Sequence, residues 1–360
     1  MRRLLYVTFE NIQVYSGGSQ CANRNLQSLK DILGENQIIV YTIKPNSMRN
    51  IVGHLQRFIG ICKGYFGGLN EYHRKSIQNL IINEAVTDIF IDNSQLGLIA
   101  KDAKRINQSI RIYAFFHNIE YDFIKSNVID NRNYSHFFWI PLAKYNERTA
   151  CRYSNCIIAL NNSDASRLKL LYGRKADTVI PISMKDDTTI ENDNLETSHT
   201  QKKALFVGSY FFGNTKGLSW FCKEVLPYTD IHLTIVGSGM ESFKKDIDSF
   251  NRISIFSNVP DLAPFYRDAD FVVLPITTGG GMKVKTAEAL KYGKYIIGTK
   301  EALNGYDIDS NIATECKNAE DFITAIRLLN RQLKYNAYSR ELFLDKYSYN
   351  TTLKLFSDII

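Results

Sequence analysis

The sequence offers little of what usually fixes a small-site chemistry at a glance. Its six cysteines contain no Cys-x-x-Cys pair, and no histidine stands at ligand spacing from any of them. A zinc ribbon or a disulfide framework is therefore not expected; Cys21, Cys62, Cys151, Cys156, Cys222 and Cys316 read as free thiols. Proline is scarce, 7 against 21 glycines, which argues for many tight turns and against a disordered Pro-rich or collagen-like chain. No apolar run approaches the roughly 18 uninterrupted residues of a membrane-spanning helix. The start, MRRLLYVTFENIQVYSGGS, turns acidic and polar where a signal peptide would be apolar, so a cytoplasmic location is expected. Neither Gly-x-Gly-x-x-Gly nor a Walker-type phosphate loop occurs, and no Asp-x-Asp metal motif follows a strand, so no metal and no cofactor are expected.

What is present is an alternation. Apolar runs of four to eight residues separate longer amphipathic stretches, the pattern of βαβ units around a parallel sheet. Strands are expected at Leu4–Phe9, Ile38–Ile43, Ile89–Asp92, Ile110–Phe116, Cys156–Leu160 and Thr178–Ile182, with helices at Gln20–Leu33, Leu96–Ile106 and Phe138–Tyr153. A polar stretch from Lys185 to Lys202 interrupts the series, which restarts with ALFVGS, HLTIVGS, ISIFSNV, DFVVLPI and YIIGT. The expected architecture is α/β: two tandem doubly wound, Rossmann-like domains over residues 1–184 and 203–335, a linker over 185–202, and C-terminal helices over 336–360 packing back across the domains.

The net charge of +7 is unevenly placed. Residues 1–184 hold 23 Lys and Arg against 14 Asp and Glu, whereas residues 185–360 hold 21 against 23. No basic helix or stacking motif accompanies the basic half, so nucleic acid is not an expected partner. Two aromatic and basic segments, His54–Leu69 and Arg132–Arg148, could lie on an anionic membrane surface or be ordinary core helices with solvated basic faces.

In an open parallel sheet ligands bind beyond the carboxyl ends of the strands. Four segments stand there. The first ends in SGGSQ, where Gly17 and Gly18 let backbone approach a ligand. The second is HNIE, which bunches His117, Asn118 and Glu120 after one strand; a histidine there can exchange a proton or hold a hydroxyl. The third is GSYFFGNTKG, with Ser209 ending a strand and Asn214 and Lys216 leading into a helix suited to a phosphate. The fourth, TTGGGMKVKTAEAL, is the most specific. Gly280, Gly281 and Met282 open a helix with Lys283 and Lys285 close to its start, where cations are unfavourable unless an anion offsets them. Lys285 and Glu288 share a face three residues apart, as an anion site with a carboxylate or as a plain surface pair.

Together these motifs resemble the retaining glycosyltransferases of family 4, closely from Ala204 to Thr299 and more loosely before it, through GGSQ, HNIE and NNSDASRLKLLYG. The resemblance implies the two-domain GT-B fold and transfer of a sugar, with retention, from a UDP- or GDP-sugar to a glycan or a polyprenyl- or otherwise lipid-linked acceptor, as in bacterial polysaccharide assembly at the inner membrane face. It implies that Gly17 and Gly18 approach diphosphate and sugar, that His117 lies beside the transferred sugar or acceptor, and that the backbone near Val259 pairs with the base. Gly281 to Lys285 would hold phosphate, and Glu288 would bind ribose hydroxyls. In that pattern an acidic residue falls on Gly280, an arginine on Ser209 and a lysine on Asn214. These differences keep two alternatives open, a non-catalytic partner subunit of the same fold and a nucleotide-sugar epimerase.

Overall fold

A computed structural model describes residues 2–9, 17–44, 58–130, 136–188, 201–245, 252–329 and 334–360. The chain divides into two compact units, Met1–Pro181 with Leu353–Ile360, and Ile182–Thr352. Most of the polar segment between Lys185 and Lys202, residues 189–200, lies outside the described residues, as do residues 54–57 and 132–135 of the two aromatic segments.

The first unit is built on six parallel strands, β1 (Leu4–Thr8), β2 (Ile38–Thr42), β3 (Asp88–Ile91), β4 (Arg111–Phe116), β5 (Cys156–Ala159) and β6 (Thr178–Val179), in the order β2-β1-β3-β4-β5-β6. β1 and β3 are buried at every position, which is why they read as continuous apolar runs rather than alternating ones. The connections include α1 (Gly17–Leu33), α2 (Glu71–Asn83), α3 (Gly97–Ile106), α4 (Glu120–Asp130), α5 (Trp139–Tyr153) and α6 (Asn162–Tyr172). Asn70 and Asn161 cap α2 and α6 with their side chains, and Gly173 closes α6 in the left-handed conformation at φ 75°. α1 begins three residues before the expected Gln20, so Gly17 and Gly18 form its first turn instead of a loop.

The second unit repeats the plan with β7 (Lys202–Val207), β8 (Ile231–Gly237), β9 (Ile253–Ser257), β10 (Phe271–Leu274), β11 (Tyr295–Gly298) and β12 (Ala313–Glu315), ordered β12-β11-β10-β7-β8-β9 and again all parallel. The three-residue β12 gave no sequence signal. Its helices are α7 (Phe212–Glu224), α8 (Ala263–Asp268), α9 (Val284–Lys291), α10 (Lys300–Leu303), α11 (Ala319–Leu328) and α12 (Ala337–Leu342), and a final α13 (Tyr349–Ser357) within which the boundary between the units falls. The expected pair of doubly wound α/β domains with a helical C-terminus is the architecture found.

Strand order reverses between β1 and β3 in the first unit and between β7 and β10 in the second. These are the places where a doubly wound sheet leaves a crevice at its carboxyl edge. None of the described helices is long and apolar enough to cross a membrane.

Candidate functional site

In the second unit the crevice is made by the ends of β7 and β10. A Cβ on Gly237 would stand 1.9 Å from the Gly208 carbonyl oxygen, and one on Gly217 would stand 1.8 Å from that of Pro275. Only hydrogen at these positions lets the end of β8 and the helix α7 close onto the crevice. A Cβ on Gly208 would stand 2.9 Å from both the Lys285 Nζ and the Asn214 Nδ2. The glycine thus makes room for a lysine head.

Lys285, in the first turn of α9, donates to Asn214 Oδ1 and lies 4.8 Å from the centre of the Phe206 ring. Asn214 in turn donates to the Ser209 carbonyl at 2.8 Å. Burial, with help from neighbouring Lys283 and against Glu288, pulls the Lys285 ammonium down to about 7. An anion arriving beside it would restore its charge, with uptake of a proton wherever the lysine is neutral. Lys285 and Glu288 are not a surface pair: Glu288 accepts from the Tyr266 hydroxyl at 3.1 Å, and burial raises its carboxyl although that hydroxyl and Lys291 oppose the shift.

The other candidates fall in different places. Lys283 occupies the N-cap position of α9 without a side-chain capping bond, and its ammonium donates to Glu301 at 2.7 Å and to the carbonyls of Gly281 and Gly280 at 2.8 and 3.2 Å. Met282 is buried beneath the loop. Lys216 is exposed, with its ammonium 5.7 Å from the Phe212 ring centre. Ser209 is exposed, and Val259 follows the edge strand β9, two strands from β7. The structure therefore brings Lys285, Asn214 and Gly208 together and gives Lys283 a separate role.

The first unit places His117 just past β4, with Nε2 2.9 Å from the Asp92 carbonyl oxygen and 3.3 Å from its carboxylate Oδ2. Asp92 follows β3 at the strand reversal and is fully buried; Asn25 donates to its Oδ1 at 2.6 Å. Cys21, on α1, accepts from Arg24 at 3.3 Å and also interacts with His117. Burial works against charge on both groups, yet Asp92 and Cys21 hold the imidazole well above its ordinary range, while His117 and Arg24 hold the thiol below its own. The result is a buried row of mutually interacting groups, Arg24, Cys21, His117 and Asp92. Of its members the sequence singled out only His117. The available signal was the position of Asp92 at the end of a strand beside the reversal.

Asn118 Oδ1 is buried with no partner among the described residues, whereas Glu120 is buried and opens α4. Its backbone N–H donates to Glu147 at 2.7 Å, and Ser94 and Tyr172 donate to the same carboxylate at 3.3 and 2.6 Å. Burial pushes the Glu147 carboxyl up to about 8 despite these donors. Glu147 thereby anchors the turn that carries His117. Gly18 lies in the first turn of α1 beside Gly17, at the same edge of the sheet. Among the described residues no three His, Cys, Asp or Glu side chains gather as a metal site.

Comparison with known proteins bears on the second unit first. Residues 201–332 match the family described as glycosyl transferases group 1. The match lies within the second unit and spans all the residues around Lys285 described above. An uncharacterized 44.6 kDa protein in the cps region of Klebsiella pneumoniae is 26% identical over 157 residues, 38% of this chain and 40% of that protein, so the chain matches well under half of that relative's length. Among solved structures, the lipopolysaccharide outer core galactosyltransferase WaaB in its apo form superimposes with a TM-score of 0.67 at 12% identity, covering 99% of this chain and 98% of that one. Anabaena Alr3699/HepE in complex with UDP gives 0.62 at 12% identity over 99% and 98%, and its complex with UDP-glucose gives 0.62 over 99% of both chains. At such identities the likeness concerns the fold, which is GT-B.

Proposed function

We propose that the protein transfers a sugar from a nucleotide-diphosphate sugar to a glycan or lipid-linked acceptor, with retention at the anomeric carbon and without a metal ion. The observation that carries this reading is Lys285: a depressed, enclosed ammonium in the first turn of α9, at the strand reversal of a group 1 glycosyltransferase domain. The unpaired N–H groups of a helix start and one lysine supply positive potential where a diphosphate would rest. UDP and UDP-glucose in the complexes of a structural neighbour support the donor class.

In this mechanism the acceptor hydroxyl attacks the anomeric carbon from the face that the diphosphate leaves. The bond from that carbon to the phosphate oxygen breaks, and the departing oxygen takes the acceptor's proton. The protein contributes position and electrostatic stabilisation of the leaving group. Lys285 bears on the growing phosphate charge, Glu288 and the backbone near Val259 hold the nucleoside, and His117, positioned by Asp92, is the first unit's group for the transferred sugar or acceptor. The exposed aromatics Phe58, Phe137 and Phe138, in a basic setting, support a lipid-linked acceptor met at a membrane surface.

Calorimetric titration with UDP and GDP, followed by donor turnover, tests the reading. Lys285→Met is expected to weaken nucleotide binding at least tenfold and to abolish transfer. Undiminished binding in that variant would remove the diphosphate from this place. Nucleotide binding without transfer to any acceptor would instead favour a non-catalytic partner subunit, and release of an epimerised donor would favour an epimerase.

A further inference from the structure

We propose that Glu301 reads the hydroxyls of the transferred sugar in the donor; the assignment rests on the nucleotide-sugar reading of the second unit. Glu301 belongs to α10, at the carboxyl end of β11, and its carboxylate reaches across to the glycine loop that follows β10. Oε1 accepts from Lys283 at 2.7 Å, and among the described residues no hydrogen bond reaches Oε2. The Lys283 side chain is 13% exposed and that of Glu301 is 29%, so the pair is largely enclosed and the carboxylate partner is the more accessible of the two.

The mounting is rigid. The Thr299 hydroxyl accepts from the Ala302 N–H at 3.2 Å, the Thr286 hydroxyl donates to the Ala302 carbonyl at 2.7 Å, and the Tyr306 hydroxyl donates to the Lys283 carbonyl at 2.6 Å. The loop is shaped around the pair. Gly279 has φ 147°, and a Cβ there would stand 3.2 Å from the Lys283 Cε and 3.6 Å from Glu301 Oε1. A side chain at 279 would fill the space that the pair lines.

Charge then selects the ligand. A carboxylate repels phosphate, so Oε2 receives a hydroxyl or N–H donor of the nucleotide-sugar; with the ribose assigned to Glu288 and the base to the backbone near Val259, the donors left to it are the hydroxyls of the transferred sugar. Lys283, spent on Glu301 and on two loop carbonyls, is not available as a second phosphate clamp. Its role is to hold the carboxylate ionised and aimed. The carboxylate missing from the loop itself, where Gly280 stands, is in this way supplied from the next strand.

The test compares UDP with UDP-glucose and UDP-galactose, and GDP with GDP-mannose, by calorimetry on the full chain. The wild-type protein fixes which base and sugar bind. Glu301→Gln keeps the shape and an acceptor for Lys283, so it is expected to bind the free nucleotide within twofold of wild type and the preferred donor about tenfold more weakly. Lys283→Met, which frees the loop, is expected to weaken both. Equal weakening of nucleotide and donor by Glu301→Gln, or no effect on either, would overturn the role of Glu301. Failure of the wild-type protein to bind any of these nucleotides would overturn the nucleotide-sugar reading beneath it.

Discussion

Lys285 is the residue on which most of the proposed chemistry converges, and its environment gives it a pH signature. Burial lowers its pKa from 10.5 to about 7, and a bound diphosphate beside it would raise the value again. Binding therefore takes up a proton whenever the free lysine is neutral. Below pH 7 the ammonium is already charged and affinity for a nucleotide-sugar should be flat. Above pH 7 affinity should fall, by up to tenfold per unit, until the pKa of the complex is passed. Titration of a nucleotide-sugar donor between pH 6 and 9 checks this, and the slope should vanish in Lys285→Arg, whose charge does not titrate. A wild-type affinity constant across that range would contradict the linkage. At this scale the sequence was informative about type and less so about partnership. The run GGGMKVKT reads as a helix start suited to an anion, but nothing in it says that Lys283 and Lys285 part company. Glu301 is 18 residues from Lys283, and Asn214 is 71 from Lys285; such pairs are made by strand order, which local spacing does not encode. The row of Cys21, Arg24, His117 and Asp92 was hidden for the same reason, since it joins the segments after β1, β3 and β4.

Among the elements, α7 shows how close packing sets the site. Gly217 lies on the face of α7 against the end of β10, and Asn214 stands one turn earlier on the same helix. Gly217→Ala would drive a methyl group into the Pro275 carbonyl, and backbone cannot yield as a flexible side chain does. The expected cost is on the order of 1–3 kcal/mol in urea unfolding, with weaker nucleotide binding as α7 and Asn214 shift. An unchanged unfolding midpoint would show that the helix can move freely from the strand. The elements themselves were largely legible because parallel strands buried on both faces give short unbroken apolar runs. The exceptions are instructive. β12 is too short to make such a run, and α1 starts at Gly17 because glycine, a poor helix former elsewhere, is tolerated in a first turn where few hydrogen bonds have yet closed. Reading Gly17 and Gly18 as loop followed propensity, and tertiary context prevailed.

For the molecule as a whole, the two halves carry different charge, with 23 basic against 14 acidic residues before position 185 and 21 against 23 after it. Lys285 and the start of α9 concentrate positive potential locally in the half whose total is slightly negative. The basic excess of the other half is free to serve a second anionic partner, and Phe58, Phe137 and Phe138 offer it apolar anchors, each more than 60% exposed. Flotation with anionic liposomes should carry the protein upward at low salt and lose it at high salt. No flotation at low salt would refute a membrane-facing role. One consequence of the chain path concerns synthesis. Leu353–Ile360 belongs with the first unit, where Phe356 is fully buried 6.2 Å from Phe90 and 5.4 Å from the Arg24 guanidinium, and where Arg2 donates to the Ile360 carbonyl. Emerging from the ribosome, the unit made first must wait for all of Ile182–Thr352 before its core can close. The half translated early is the half completed last.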